Sequence, residues 1–436
     1  MLCIAPQKRG RSASILCIKH VVISALMETT KKDLSVSARS YARNAIVLGL
    51  LSAVGPFAID MYLPALPSIA ADLKASTAAT QMTLMAFFMA FGVCQLIYGP
   101  LSDVVGRKPP LYAGLTLFIV GSIGCAFAPS VEWLIAARVV QGIGAAAGMV
   151  IPRAIIRDLH TGNEATRLMS LVMLVFSVSP ILAPVTGSAL IVPFGWRAVF
   201  VAVTIAAVLA FALILVFLPE TRLHHQRLEA NVRSVLRGFG HLLADPRFLG
   251  LTFIGGFGMA SFFAFLASSS FIYIGHYGLT PTQYSFGFSI NAFGFIGASQ
   301  FAATLGRRFG LSRVVMTAAA IYTFFALLLL GVTLAGVDSL AVLIALLFMS
   351  FAFLGLVIPT TMVLTLEEHG PIAGIASSLA GTLQMVAGGA VIALASLFFD
   401  GHPLPMVAII AACACCALCL SLVTLRRDAL APQPAE

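Results

Sequence analysis

The sequence predicts an all-α integral membrane protein whose twelve transmembrane helices form two six-helix bundles. Three observations carry that expectation. Of 436 residues, 60% are apolar and only 10% charged; the apolar residues gather in runs long enough to cross a bilayer; and one polar stretch divides the runs six and six. Ordinary soluble domains are roughly a quarter charged, so no water-soluble fold hides this much apolar side chain. A helix rises 1.5 Å per residue and the hydrocarbon layer is about 30 Å thick, so each crossing takes roughly 20 apolar residues.

Six runs fall near residues 45–66, 80–100, 111–128, 131–152, 168–191 and 197–218. Six more fall near 248–272, 282–304, 314–335, 340–364, 373–398 and 404–425. Each is bounded by charges, prolines or glycines. The expected organisation is a cytoplasmic N-terminal extension over 1–40, a first bundle over 41–219, a cytoplasmic linker over 220–246, a second bundle over 247–427 and a cytoplasmic tail over 428–436. Residues 1–26 read neither as a clean signal peptide nor as a span, because Lys19 and His20 interrupt a short apolar stretch. Met27, followed by Glu28, Thr29, Thr30, Lys31 and Lys32, reads as an alternative translation start, a hypothesis that native protein beginning at Met1 would remove.

The formal charge of +9 sits in short basic runs between the apolar segments, not on one folded face, which argues against a nucleic-acid partner. Lysine and arginine instead mark the cytoplasmic side. With both termini inside, that side holds Arg107, Lys108, Arg153, Arg157, Arg167, the stretch from Arg222 to Arg247, and Arg307, Arg308 and Arg313. The opposite turns hold only Lys74 and Arg197, while the turn at Glu367 and Glu368 has no basic residue and gives no support. Trp133 and Trp196 fall at outer ends, where interfacial aromatic anchors are expected.

The composition also argues against several activities. Cys413, Cys415, Cys416 and Cys419 crowd one apolar run without the polar loops or histidines of a metal site, so neither metal nor cofactor is expected. His160, His224, His225, His276, His369 and His402 are scattered through different loops, unlike the clustered groups of a membrane enzyme. No glycine loop ending in Lys-Ser or Lys-Thr points to ATP as the driving force.

Charges inside a membrane cost several kcal/mol by most scales, so each is a functional candidate. Asp60 lies about 15 residues, roughly 22 Å, into the first span, between Pro56 and Pro64. Arg138 lies about seven residues, roughly 10 Å, into the fourth, at a nearly matching depth. A carboxylate facing an aqueous cavity in low-dielectric surroundings can exchange protons near working pH, and a nearby arginine would favour its charged form. A changing distance between Asp60 and Arg138 is therefore an expected proton switch. The plainer reading makes Asp60 a snorkelling or capping residue and Arg138 a structural pin.

Three motifs extend this reading. The turn after the second span runs Gly99-Pro100-Leu101-Ser102-Asp103-Val104-Val105-Gly106-Arg107-Lys108-Pro109. It resembles the cytoplasmic signature of the major facilitator superfamily, and the resemblance implies that Asp103 and Arg107 latch helix ends in the outward-facing state. A weaker echo, Gly306-Arg307-Arg308-Phe309-Gly310, stands at the matching place after the eighth span. The segment Arg138-Val139-Val140-Gln141-Gly142-Ile143-Gly144 is similar to a second signature, in which the arginine is linked to proton transfer. The third, Ser179-Pro180-Ile181-Leu182-Ala183-Pro184-Val185-Thr186-Gly187, resembles the antiporter signature, a kink built on Pro180, Pro184 and Gly187, although the usual form carries glycine where Ser179 stands.

Residues 58–67, Gln81-Met82-Thr83-Leu84 and Ala376-Ser377-Ser378-Leu379-Ala380-Gly381-Thr382 narrow the resemblance to the Bcr/CflA branch of drug-resistance transporters, over about residues 41–425. That branch implies a proton-coupled antiporter in the bacterial inner membrane, expected as a monomer, exporting bicyclomycin, chloramphenicol-type and sulfonamide compounds. A carrier of one small metabolite on the same fold is the alternative. A pocket for unlike substrates must be large, apolar and aromatic. Candidate walls are Phe87 and Phe88, then Phe257, Phe262, Phe263 and Phe265, then Asn291 and Phe293, with Gln384 as a polar contact.

Overall fold

In the computed structural model the described residues are 43–159, 162–221 and 232–430. The expected extension over 1–40, the middle of the linker and the end of the tail lie outside them. The chain is a succession of helices, because within lipid a helix satisfies its own backbone donors and acceptors. In order they are α1 (Arg43–Asp72), α2 (Thr77–Val105), α3 (Lys108–Ala126), α4 (Val131–Leu159), α5 (Gly162–Phe194) and α6 (Arg197–Phe217). A short α7 (Val232–Leu243) precedes α8 (Pro246–Ser270), α9 (Pro281–Ser299), α10 (Ala302–Phe309), α11 (Leu311–Leu334), α12 (Leu340–Glu368), α13 (Ala373–Phe398) and α14 (Pro403–Leu430).

Eleven helices among the described residues are long and apolar enough to cross a membrane. The twelfth crossing, expected over 282–304, is α9 followed by α10, with a break at Gln300 and Phe301. Gln283, Ser285, Ser289 and Asn291 make α9 more polar than its neighbours, and it is buried against α5 and α12. Local chemistry sets the ends. The Ser76 hydroxyl accepts from Ala79 N–H at the start of α2, and Thr280 and Gln283 cap each other at the start of α9. Gly106 ends α2 with φ of 100°, a conformation costly for any residue with a Cβ.

Most packing stays within each half of the chain, and two long seams join the halves: α2 along α13, and α5 along α9. The first seam interdigitates. A Cβ on Gly92 would sit 2.6 Å from Met385 Cβ, and one on Gly389 would sit 2.7 Å from Met89 Sδ, so each helix sets a methionine into the other's glycine gap. Phe88 stacks on Phe263 with ring centroids 4.0 Å apart.

The arginine-rich turns gather at one end of the molecule, here called the basic end. Hydrogen bonds between the halves run from mid-height to the far end. Gln81 Nε2 donates to the Ala267 carbonyl at 3.2 Å, Thr382 Oγ1 to the Gly92 carbonyl at 2.7 Å, Ser285 Oγ to the Pro184 carbonyl at 2.8 Å and Ser289 Oγ to the Ile181 carbonyl at 2.9 Å. At the basic end the ion pairs among the described residues each stay within one half. Among the described residues the halves are thus hydrogen-bonded from mid-height to the far end, while at the basic end Leu96 of α2 packs against the cluster that holds Ala376 and Leu379 of α13.

The two tryptophans part company. Trp133 is 55% exposed, as expected of an interfacial anchor. Trp196 is buried instead, because its indole N–H donates to Asp72 at 3.0 Å and Arg197 covers its ring while pairing with the same carboxylate.

Candidate functional site

Asp60 and Arg138 meet the same stretch of α1 from different sides. The Asp60 side chain is buried and turned toward α5, where Ser179 Oγ donates to Oδ2 at 3.2 Å. It lies within electrostatic reach of the Tyr284 phenol on α9, so it stands where both halves meet. Arg138, on α4, is fully buried. Its Nη1 donates to the Ala58 carbonyl at 3.2 Å and to Gln141 Oε1 at 2.6 Å. Its guanidinium carbon lies 4.4 Å from the Phe87 ring centre and 4.7 Å from that of Tyr62. Gln141 is held in turn by Ser122, and Tyr62 by Thr83.

In this arrangement neither Asp60 nor Arg138 makes an ion pair among the described residues, and one residue of α1 separates Ala58 from Asp60. Arg138 Nε and Nη2 are buried without a hydrogen-bond partner. A buried cation with unused donors is costly, and such a cost persists in a membrane chiefly where charge must later be met. The aromatic faces of Tyr62 and Phe87 offset part of it.

Helix α5 supplies the third wall. Gly187 lies so close to the Met61 backbone that any Cβ would overlap its carbonyl oxygen. Pro180 and Pro184 remove two donors from the α5 ladder. Elsewhere on the same helix the carbonyls of Ile181 and Pro184 accept from Ser289 and Ser285 of α9. The kink residues of the sequence thus bracket Asp60 on one side and join the second half on the other. Ser179, which departs from the usual glycine, is the residue that touches the carboxylate.

At the basic end Arg107 is nearly enclosed. It pairs with Asp103 at 2.8 Å and with Asp158 at 2.7 Å, and donates to Ser102 Oγ at 2.7 Å. Glu220 accepts from the backbone N–H groups of Arg107 and Lys108 at 2.9 and 3.0 Å. Burial alone would push the guanidinium down, but Asp158 and Asp103 outweigh it and hold it above the ordinary arginine value. Lys108 lies over the Tyr112 ring. Gly106 is required by its backbone, whereas a Cβ on Gly99 would make only an ordinary contact with Val150 at 3.9 Å.

The candidate pocket walls separate into kinds. Phe87 serves Arg138, and Phe88 serves the seam. Phe265 is fully buried between Phe288 and Phe351, and Phe262 packs on Phe295 and Phe351. Phe293 is 63% exposed on the outside of α9. Asn291 donates to Tyr273 Oη and leaves its own carbonyl oxygen buried without a partner, and Gln384 donates to the Thr252 carbonyl at 3.5 Å. Sequence reasoning missed Asp158, Glu220, Ser179, Ser285 and Ser289. Asp158, immediately after Arg157 at the end of an apolar run, carried a signal, as did Ser179 by its departure from the motif; Ser285 and Ser289 carried none.

A helical membrane protein with a buried carboxylate and a buried arginine between two packed halves is built as a secondary transporter. The comparisons agree. Residues 48–393 match the model of the Major Facilitator Superfamily. An uncharacterised MFS-type transporter of Bacillus subtilis, YdgK, is 37% identical over 80% of this chain and 87% of its own length. A bicyclomycin resistance protein homolog of Haemophilus influenzae is 31% identical over 84% of this chain and 92% of its own. The solved D-xylose–proton symporter shares the fold, with a TM-score of 0.67 at 17% identity over 89% of this chain and 97% of its own. The chain belongs to the major facilitator superfamily and is a multi-pass membrane transporter, and its resemblance to the Bcr/CflA-type drug transporters is borne out.

Proposed function

We propose that this protein is a proton-coupled antiporter that exports small drug-like compounds of the bicyclomycin, chloramphenicol-type and sulfonamide classes across the bacterial inner membrane. The observation that carries the reading is Asp60, a buried carboxylate whose hydrogen-bond partner is a serine of the proline-containing α5, close to a seam between the halves. Protonation removes its charge and weakens its hold on Ser179. Deprotonation leaves a buried charge held by Ser179, so each protonation state favours a different packing of α1 against α4 and α5. In this reading the basic end and both termini face the cytoplasm, segments 41–219 and 247–427 rock as two bundles around the site, and the monomer is the working unit. Substrate then enters from the cytoplasm at the basic end, while Asp103, Gly106, Arg107 and Lys108 fix the helix ends that must move together. The relatives' names support a drug substrate.

The test is drug-evoked proton release from inverted vesicles holding a pH gradient, comparing wild type with Asp60→Asn. Wild type should collapse the gradient on addition of chloramphenicol-type or sulfonamide compounds, and Asp60→Asn should not. Equal responses would move the coupling residue elsewhere. No response to any compound would favour a carrier of one small metabolite.

A further inference from the structure

The sequence repeats a basic turn at matching places in its two halves, and the fold uses the two copies differently. Arg107 is 4% exposed, with Asp103 and Asp158 around it. Arg307 and Arg308, at the end of α10, are exposed and make no ion pair among the described residues. Beside them Phe301 is 61% and Phe309 46% exposed, and Arg308 lies over the Phe309 ring. Basic side chains alternating with large exposed apolar ones suit neither water nor hydrocarbon alone. They suit the boundary between them.

Helix α7 repeats the pattern independently. At about 100° per residue its surface divides into three sectors. Leu242 is buried on Phe248 at the first turn of α8, and Gly238 faces Ile375 at the first turn of α13. These contacts set α7 level with the ends of two crossings. A second sector exposes Leu236 at 62% and Leu243 at 48%, and a third exposes Arg237 and His241. Protein holds one side, and the other two present an apolar strip and a basic strip.

We infer that the basic-end rim of the second half, α7 and α10, docks on anionic phospholipid headgroups of the adjacent leaflet. The aromatic and leucine side chains enter the acyl boundary, and Arg237, Arg307 and Arg308 meet lipid phosphates. The inference does not depend on what the protein carries.

The test uses the full chain in bilayers of phosphatidylcholine containing phosphatidylglycerol, with spin-labelled forms of each lipid reporting relative association. Each arginine near an anionic surface is worth about fivefold in binding. Wild type should prefer phosphatidylglycerol, and the triple variant R237Q/R307Q/R308Q should lose at least ~tenfold of that preference. Arg197→Gln, at the far end, should leave it unchanged. Should the triple variant elute as aggregate, salt decides: the wild-type preference should collapse between about 0.05 M and about 0.5 M salt. Absence of preference in wild type, its retention in a well-folded triple variant, or its indifference to salt would overturn the inference.

Discussion

Arg138 shows how one side chain fixes the chemistry around it. Its charge is held by two hydrogen bonds from a single nitrogen and by two aromatic faces, against which a flat guanidinium stacks better than an ammonium. Arg138→Lys should therefore fail as a replacement: transport should drop at least ~tenfold while the protein still inserts, measured as substrate-driven proton flux per molecule. Ser179 offers the complementary case. Its hydroxyl makes one hydrogen bond to Asp60, a contact worth about 1 to 2 kcal/mol, so Ser179→Gly should slow exchange by roughly five- to thirtyfold. An unchanged rate would show that the usual glycine serves equally well here.

At the scale of elements, glycines of the same motifs carry unequal burdens. Gly187→Ala should force α5 away from Met61 and cost about 1 to 3 kcal/mol, seen as a lower melting temperature in detergent, whereas Gly99→Ala should be nearly neutral. The second half's basic end depends on Asp245, which caps α8 and bonds His369 at 2.9 Å. Partial burial raises its carboxyl, but His369 and the backbone N–H groups of Arg247 and Phe248 outweigh that and hold it below the usual aspartate value. A depressed folded-state value stabilises above the unfolded value and is lost as pH falls through the folded one. Hydrogen exchange at the start of α8 should therefore rise as pH drops below about 4, and Asp245→Asn should exchange faster at neutral pH and lose this dependence. Element by element the sequence was highly legible, because apolar runs bounded by charges leave a helix little choice. The break after α9 was not, since Gln300 and Phe301 bring neither a proline nor a charge into the run.

At the far end the two halves are joined by hydrogen bonds. Gln81 and Ser268 lie on different halves near the far end, 3.4 Å apart at Nε2 and Oγ. In a cysteine-free background, a short thiol cross-linker between Gln81→Cys and Ser268→Cys should abolish transport, with restoration on reduction. Transport continuing in the cross-linked protein would mean the far end need not part. At this scale the importance of the charges was legible in the sequence, but not their partners. Asp60 and Arg138 stood out because charge in an apolar run is rare. Glu220, 113 residues beyond Arg107, and Ser285, 101 beyond Pro184, meet their partners only once the helices have packed.

The crossed methionines of α2 and α13 carry a consequence in redox chemistry. Met89 and Met385 are half-buried, each filling a gap opposite a glycine where even one added carbon would crowd. Conversion of either thioether to the sulfoxide adds an oxygen, polarity and bulk at that spot. A mild peroxide treatment should therefore jam the seam and slow turnover, and methionine sulfoxide reductase should restore it, so that an oxidising burst in the cell would idle this pump without damaging its fold.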